Sequence, residues 1–333
     1  MPDFFEEWKQ RYSAEDLAGD ADQTEWEAIR LGVTNVDTGI RDQILSGELE
    51  TSSAREERST RVTDEIERRS AILGDLYPFE RTGNSLRYRP SDSHVYEFCL
   101  SISFVGSLST TFGRRFQIGF ERLTRDVMAC LLGRARVLAR RTGEPGDGLE
   151  NRPSDIKGIL QELSEACGGT EWRWAPLQDY PSTPASQDLG DLGLDAIVCK
   201  PFADQRGGDL FLVAQCACGL TDWSGKFNEP DYGRLSGWMR PVTHAPFVRV
   251  FAVPFHIPNV SFLAEVSRRA RALAIDRTRI VLLADQRGNR RYIRTMARES
   301  YAVLVRDSIA AGRVALRARR RRRQRGAGAR RSR

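Results

Sequence analysis

Along most of this chain, apolar positions either recur at helical spacing or bunch into short unbroken runs, and the two patterns alternate. Phe116, Phe120, Leu123, Val127 and Leu131 share one helical stripe, with Gly133 as a natural stop. Ile156, Ile159, Leu160 and Leu163 form the apolar face of a second helix, closed by Gly168 and Gly169. A third helix is expected over 260–274, carrying Arg268, Arg269 and Arg271. The run 210–217 is interrupted only by Gln215 and reads as a strand buried on both faces; a strand opening on Asp195 precedes it across a Gly207-Gly208 turn. Residues 171–177 alternate in strand fashion and predict the first core strand, 246–253 predicts another, and Arg-Ile-Val-Leu-Leu at 279–283 a last one. Residues 134–150, Arg-rich and then rich in Gly and Pro, read as a loop, and 223–239 as a helix interrupted at Pro230.

The flanks differ from this middle. Residues 1 to about 75 carry polar helical patterns, with further pieces over 26–45 and 56–76. Gly83-Asn84 signals a small hairpin, and the apolar run 96–104 is equally a buried helix or a strand. From 289 to 323 the simplest reading is one long Arg-rich helix. The expected organisation is a mainly helical region over 1–110, an α/β core over 111–290, and an Arg-rich helix and basic tail over 291–333.

Charge changes the picture at one place. The net charge of +6 rests on the tail: of 51 basic residues, eleven arginines fall in 313–333, leaving 40 against 45 acidic residues elsewhere. A block such as Arg319, Arg320, Arg321, Arg322 and Arg323 binds phosphate backbones without sequence preference, or remains a solvated tail. The six cysteines show no CxxC and no paired Cys/His spacing, which argues against a structural zinc site. No signal peptide opens the sequence and no apolar run reaches spanning length, so a cytoplasmic protein without membrane contact is expected. His94, His244 and His256 are too scattered for a histidine-based hydrolase site, and no Gly-rich nucleotide loop or GxSxG elbow is present.

The candidate chemistry lies between 188 and 226. Asp195 and Gln215, on neighbouring strands, present two oxygen groups that a hard cation would share. Only four of the basic residues are lysines (Lys9, Lys157, Lys200 and Lys226), and two of them fall here. A compact ammonium with a tunable pKa does work that a guanidinium cannot. Strand alternation puts Lys200 on the opposite face from Asp195, which favours Lys226.

Asp191-Leu-Gly-Leu-Asp195 followed by Gln215-Cys216-Ala217 resembles the core of the PD-(D/E)XK, or restriction-endonuclease-like, nuclease superfamily. Ala217 stands where that pattern has lysine; some members carry the lysine on the following helix, where Trp223-Ser-Gly-Lys226 lies. Gly119-Phe120-Glu121 resembles the superfamily's Gly-x-x-Phe-Glu helix with glycine two residues nearer. The resemblance implies a core of helix, three strands, helix and strand. It implies Mg²⁺ (or Mn²⁺) held by Asp195, Gln215, the Cys216 backbone carbonyl and Glu121, with Glu162 and Glu165 as alternatives for the helix acid. Lys226 would orient the attacking water or face the oxyanion. The activity implied is metal-dependent DNA cleavage, of the kind used in bacterial restriction and anti-phage defence. Partners would be DNA, other subunits of a defence system, or a second copy of the chain. A catalytically lapsed nucleic-acid-binding or complex-building subunit is the alternative, and a tail-driven RNA-associated protein a third.

Overall fold

The computed structural model describes residues 18–36, 52–105, 107–142, 156–166, 172–174, 192–204, 209–219, 223–230, 232, 235, 239–241, 247–258, 260–297 and 299–312. Its elements are α1 (Ala18–Leu31), β1 (Val33–Asn35), α2 (Ser52–Leu73), β2 (Phe79–Thr82), β3 (Ser85–Tyr88), α3 (Val95–Ile102), α4 (Thr111–Leu131), β4 (Leu138–Arg141), α5 (Ile156–Ala166), β5 (Trp172–Trp174), β6 (Ala196–Lys200), β7 (Leu210–Cys216), β8 (Met239–Pro241), β9 (Val248–Ala252), α6 (Val260–Ala270), β10 (Leu273–Ile275), α7 (Arg277–Ala284) and α8 (Asn289–Met296). A 3-10 helix spans Trp223–Asn228, and 301–312 are helical. The protein is therefore α/β. No helix among the described residues is long and apolar enough to cross a membrane.

Five strands form the central mixed sheet in the order β10-β9-β7-β6-β4. β4, β6 and β7 make an antiparallel meander, and β7, β9 and β10 run parallel. Period-two alternation sorts its side chains onto two faces. Ala196, Val198, Leu212, Ala214, Cys216, Val250 and Ala252 face α4 (Phe116, Phe120, Leu123, Val127). On the other face Ile197, Cys199, Phe211 and Val213 meet the apolar stripe of α5. There also Phe251 and Val253 meet Trp223 and the Val266–Ala270 side of α6. This helix–sheet–helix layering buries strands on both faces, which is why β7 reads as a continuous apolar run. α4 starts where the Thr110 hydroxyl accepts from the Gly113 N–H at 3.0 Å, and its C-terminal turn leads to Gly133 at φ +79°.

Four expectations are corrected here. The first strand of the meander is β4, within the stretch expected to be a loop; β5 instead pairs with β8 in a separate two-stranded sheet. β4 carries little hydrophobic signal because its arginines are neutralised by the helices on either side. Arg140 binds Glu162 of α5, and Arg141 binds Glu121 of α4. The run expected as a last strand at 279–283 lies in α7. Asp276 caps that helix by accepting from the Arg279 N–H at 3.0 Å, and the strand is β10 just before it. The 260–274 helix accordingly ends at Ala270. The long C-terminal helix is also divided: α8 stops at Met296, with Ala297 extended, and a separate helix covers 301–312.

The N-terminal elements share this core. β1, β3 and β2 form an antiparallel sheet around the Gly83-Asn84 hairpin, and α3, buried along its whole length, settles the ambiguous 96–104 run as helix. One apolar cluster extends from Ala21 of α1 through the sheet to Val305. Within it lies a buried ionic network in which Asp22, Glu25 and Glu65 surround Arg69 and Arg277.

At the network's edge His256 Nδ1 is 2.6 Å from Thr278 Oγ1, and Nε2 meets the Arg68 guanidinium and, at 3.0 Å, Glu65 Oε1. Burial, with Arg69 adding to it, lowers the imidazole pKa against the opposing pull of Glu65 and Asp276. An unfolded chain therefore takes up this proton at higher pH than the folded one, and stability falls as pH drops below about 6.5. Glu65 adds a second loss. Burial raises it, but the hydrogen bond from His256 and the charge of Arg69 outweigh this and hold it well below 4.5. Its contribution is present above 4.5 and fades as the pH falls further. The urea midpoint is thus expected to be lower at pH 5.5 than at pH 7.5, and His256→Gln should flatten that difference.

Candidate functional site

The site forms where β6 begins and β7 ends. Ahead of β6 the chain passes under the Glu229–Pro230 peptide at Gly193, whose φ is +69°. A Cβ there would lie 2.7 Å from the Glu229 carbonyl carbon and oxygen, so the approach requires glycine. Asp195 then enters the sheet. Its N–H donates to the Ala214 carbonyl at 2.8 Å, its carbonyl accepts from the Thr142 N–H at 2.9 Å, and its Oδ2 accepts from the Cys216 N–H at 2.6 Å. Because Ala196 pairs with Ala214, Asp195 falls opposite Gln215. Side chains so opposed have Cβ atoms roughly 4.5–5.5 Å apart.

Gln215 is 4% exposed. Its Nε2 donates to Glu229 Oε2 at 3.1 Å, which turns Oε1 the other way. That Oε1 is buried without a hydrogen-bond partner among the described residues. Lys226 Nζ lies 3.5 Å from the same Glu229 oxygen, so one carboxylate joins the amide to the ammonium. The 3-10 helix carrying Lys226 is anchored by Trp223 and Phe227 against Phe251, the residue paired with Gln215 on β9. Asp195, Gln215 and Lys226 are thus gathered at one strand end. Sequence reading passed over Glu229; its one signal was its place three residues after Lys226, one helical turn on.

Glu121 arrives from the opposite side of the sheet. Its Oε2 accepts from Arg141 Nη1 at 2.7 Å and its Oε1 from Gln117 Nε2 at 3.1 Å, with Glu121 and Arg141 both buried. The two carboxylates still act on common neighbours. Burial pushes the Cys216 and Cys218 thiols well up, and Asp195 and Glu121 add to that rise at both, while Lys226 pulls Cys218 back. Both cysteines are buried free thiols on the α4 face, which agrees with a packing role. The alternative acids are held elsewhere: Glu162 by Arg140, whose hydrogen bond lowers its pKa, and Glu165 by Gln161 Nε2 at 3.0 Å. Lys200 Nζ is bound to the Ala135 carbonyl at the far end of β6. Arg319 to Arg323 lie outside the described residues.

Among the described residues no three His, Cys, Asp or Glu side chains gather as a ready-made metal cage. What the strand end offers is smaller: the Asp195 carboxylate and the Gln215 amide oxygen, with the Glu229 carboxylate bound to the amide N–H and beside Lys226. That donor set fits Mg²⁺, which keeps several waters and is commonly bound through one or two carboxylates together with substrate phosphates. Comparison of the chain with protein-family models, curated proteins and solved structures finds no match.

Proposed function

We propose that the chain is a Mg²⁺-dependent DNA endonuclease built on a restriction-endonuclease-like core. Two features support this reading. The order α4, the β4–β6–β7 meander and then the parallel strand β9 agrees in part with the layout that the motif resemblance implies, with α5 and β5 inserted after β4 and a 3-10 helix at Trp223–Asn228 where that layout has a helix. The observation that carries it is the buried Gln215 Oε1 without a donor, opposite Asp195. An unsatisfied buried acceptor costs about 1–3 kcal/mol, and a site that retains one invites a ligand as the explanation.

Asp195 and Gln215 Oε1 would hold the ion, and Lys226 would face the phosphoryl oxygens or the attacking water. Glu229 holds Lys226 and takes the Gln215 amide N–H, which leaves the amide oxygen available to the ion. When bound, Mg²⁺ supplies an activated water and neutralises charge developing on the phosphate. Full-length protein should convert supercoiled plasmid to nicked or linear forms with Mg²⁺; no conversion with Mg²⁺ or Mn²⁺ at micromolar enzyme would remove the enzyme reading. Gln215→Leu should weaken Mn²⁺ binding by calorimetry while leaving the thermal midpoint unchanged or higher, since the orphaned acceptor is gone. Unchanged Mn²⁺ affinity would take Gln215 out of the ligand set.

Two observations favour a second reading, a nuclease fold that has lost catalysis and serves in DNA binding or complex assembly. Ala217, at the usual lysine position, is fully buried against Trp223 and Phe251, and Glu121 is engaged by Arg141. That reading predicts salt-dependent DNA retention with no cleavage in either metal.

A further inference from the structure

α7 turns through Asp285–Gly288 into α8, and the turn and the exposed face of α8 line an open cavity of about 840 Å³. Its walls include Arg287, Arg290, Arg291, Arg294, Gln286 and Thr295. Ile293 and Asn289 root α8 in the core, so Arg291, Arg294 and Thr295 project to solvent. Arg290 is paired: Nε binds Asp285 Oδ1 and Nη1 binds Asp92 Oδ2, both at 2.9 Å. The other Asp285 oxygen accepts from Ser93 Oγ at 2.7 Å, so the one acid in the wall is already satisfied. Arg287, Arg291 and Arg294 make no ion pair among the described residues. A further arginine, Arg134, donates to the carbonyl of Gly288 in the cavity wall, its guanidinium 6.0 Å from the Tyr292 ring.

Arg291 and Arg294, three residues apart on α8, repel one another, and Arg287 adds a third like charge to the same cavity wall, an arrangement that costs stability in the absence of an anion. The cavity offers no open aromatic face on which a base could stack, because Tyr292 is half-buried beneath Arg134. Recognition there is by charge and by guanidinium forks that fit phosphate oxygens. We infer that this arginine cavity binds consecutive phosphates of a nucleic-acid strand and is a backbone-docking site separate from the basic tail. The inference deepens the nuclease reading by giving its substrate a second point of attachment, and it rests on nucleic acid being that substrate.

The test is binding of a fluorescein-labelled 30-base-pair duplex in EDTA, where no cleavage intervenes, to full-length wild type and to Arg291→Gln/Arg294→Gln across a salt series. Both positions are exposed and the change relieves like-charge repulsion, so the variant should keep the wild-type thermal midpoint or exceed it slightly. Loss of two phosphate contacts should lower the slope of log K against log salt by about 1.8 and the affinity at 0.1 M salt by roughly 10- to 100-fold. An unchanged slope overturns the proposal, whether or not the wild type cleaves plasmid. A reduced slope with no cleavage by the wild type upholds it while sinking the nuclease reading. Inorganic pyrophosphate alone is the second arm: if it binds the cavity more tightly than the duplex does, the site serves a small anion and the strand-docking proposal falls.

Discussion

Replacing Arg277 with methionine is expected to destabilise the protein by about 3–5 kcal/mol, the range seen when one member of a buried ion pair is removed. Arg277 is completely buried. Its Nη1 and Nη2 bind the two oxygens of Asp22 at 2.9 and 2.8 Å, its Nε binds the Pro254 carbonyl at 2.9 Å, and its guanidinium lies 5.3 Å from the Tyr96 ring. Arg69, equally buried, reaches Asp22, Glu25 and Glu65. Two cations thus serve three carboxylates away from water. Burial raises the Glu25 carboxyl, which takes hydrogen bonds from Tyr77 and Tyr96, whereas Arg277 and Arg69 overcome burial to hold Asp22 down. Without Arg277, Asp22 must share Arg69 with two other acids. Removing both partners, as Asp22→Leu with Arg277→Met, should recover much of the loss, since an apolar pair leaves no stranded charge. Urea midpoints of the two single variants and the double variant measure this; additive losses would show that the pair does not act as a unit.

On the proposed nuclease reading, Asp195→Asn is expected to lower Mg²⁺-dependent plasmid cleavage by about 10²–10³-fold or more, the scale for removing one preorganised electrostatic contributor. Asparagine is the informative change. Asp195 Oδ2 accepts the buried Cys216 N–H, and alanine would leave that donor unsatisfied at about 1–3 kcal/mol, mixing folding with chemistry. Asparagine keeps an acceptor there and removes only the charge. A variant with wild-type thermal midpoint and wild-type cleavage would dismiss Asp195 from the site. Loss of cleavage with DNA binding in EDTA retained would separate chemistry from docking.

Where burial is one-sided or complete and nothing polar intrudes, the residues declared their structure in advance. The α4 and α5 stripes, the β6–β7 hairpin, the 83–84 turn and β9 were legible because an apolar face or run maps onto a period of 3.6 or 2. The strand β4 was not. Its Leu138 and Ala139 give a faint alternation, and its two arginines look like solvent-facing charge until Glu162 and Glu121 close over them from either side. Nor was α7, because the apolar run 280–284 that makes up most of this short helix has no polar position by which to tell it from a strand. At the site, the gathering of Asp195, Gln215 and Lys226 was visible from their order and spacing. Glu229, which couples two of them, was hidden: its role depends on Gly193 bringing a distant loop against its backbone.

Residue order by itself therefore determined the α/β class, most helices and strands, and the stretch in which polar oxygen groups meet a rare lysine. Local periodicity and turn chemistry act over a few residues and need no partner. Tertiary structure alone decided which charges are satisfied. It paired Arg277 with Asp22 across most of the chain, turned Glu121 to Arg141, and left the Gln215 oxygen and three α7–α8 arginines without such partners among the described residues. A charge carries no mark of its partner along the sequence, because Coulomb attraction and hydrogen bonding act at distances set only once the chain is folded.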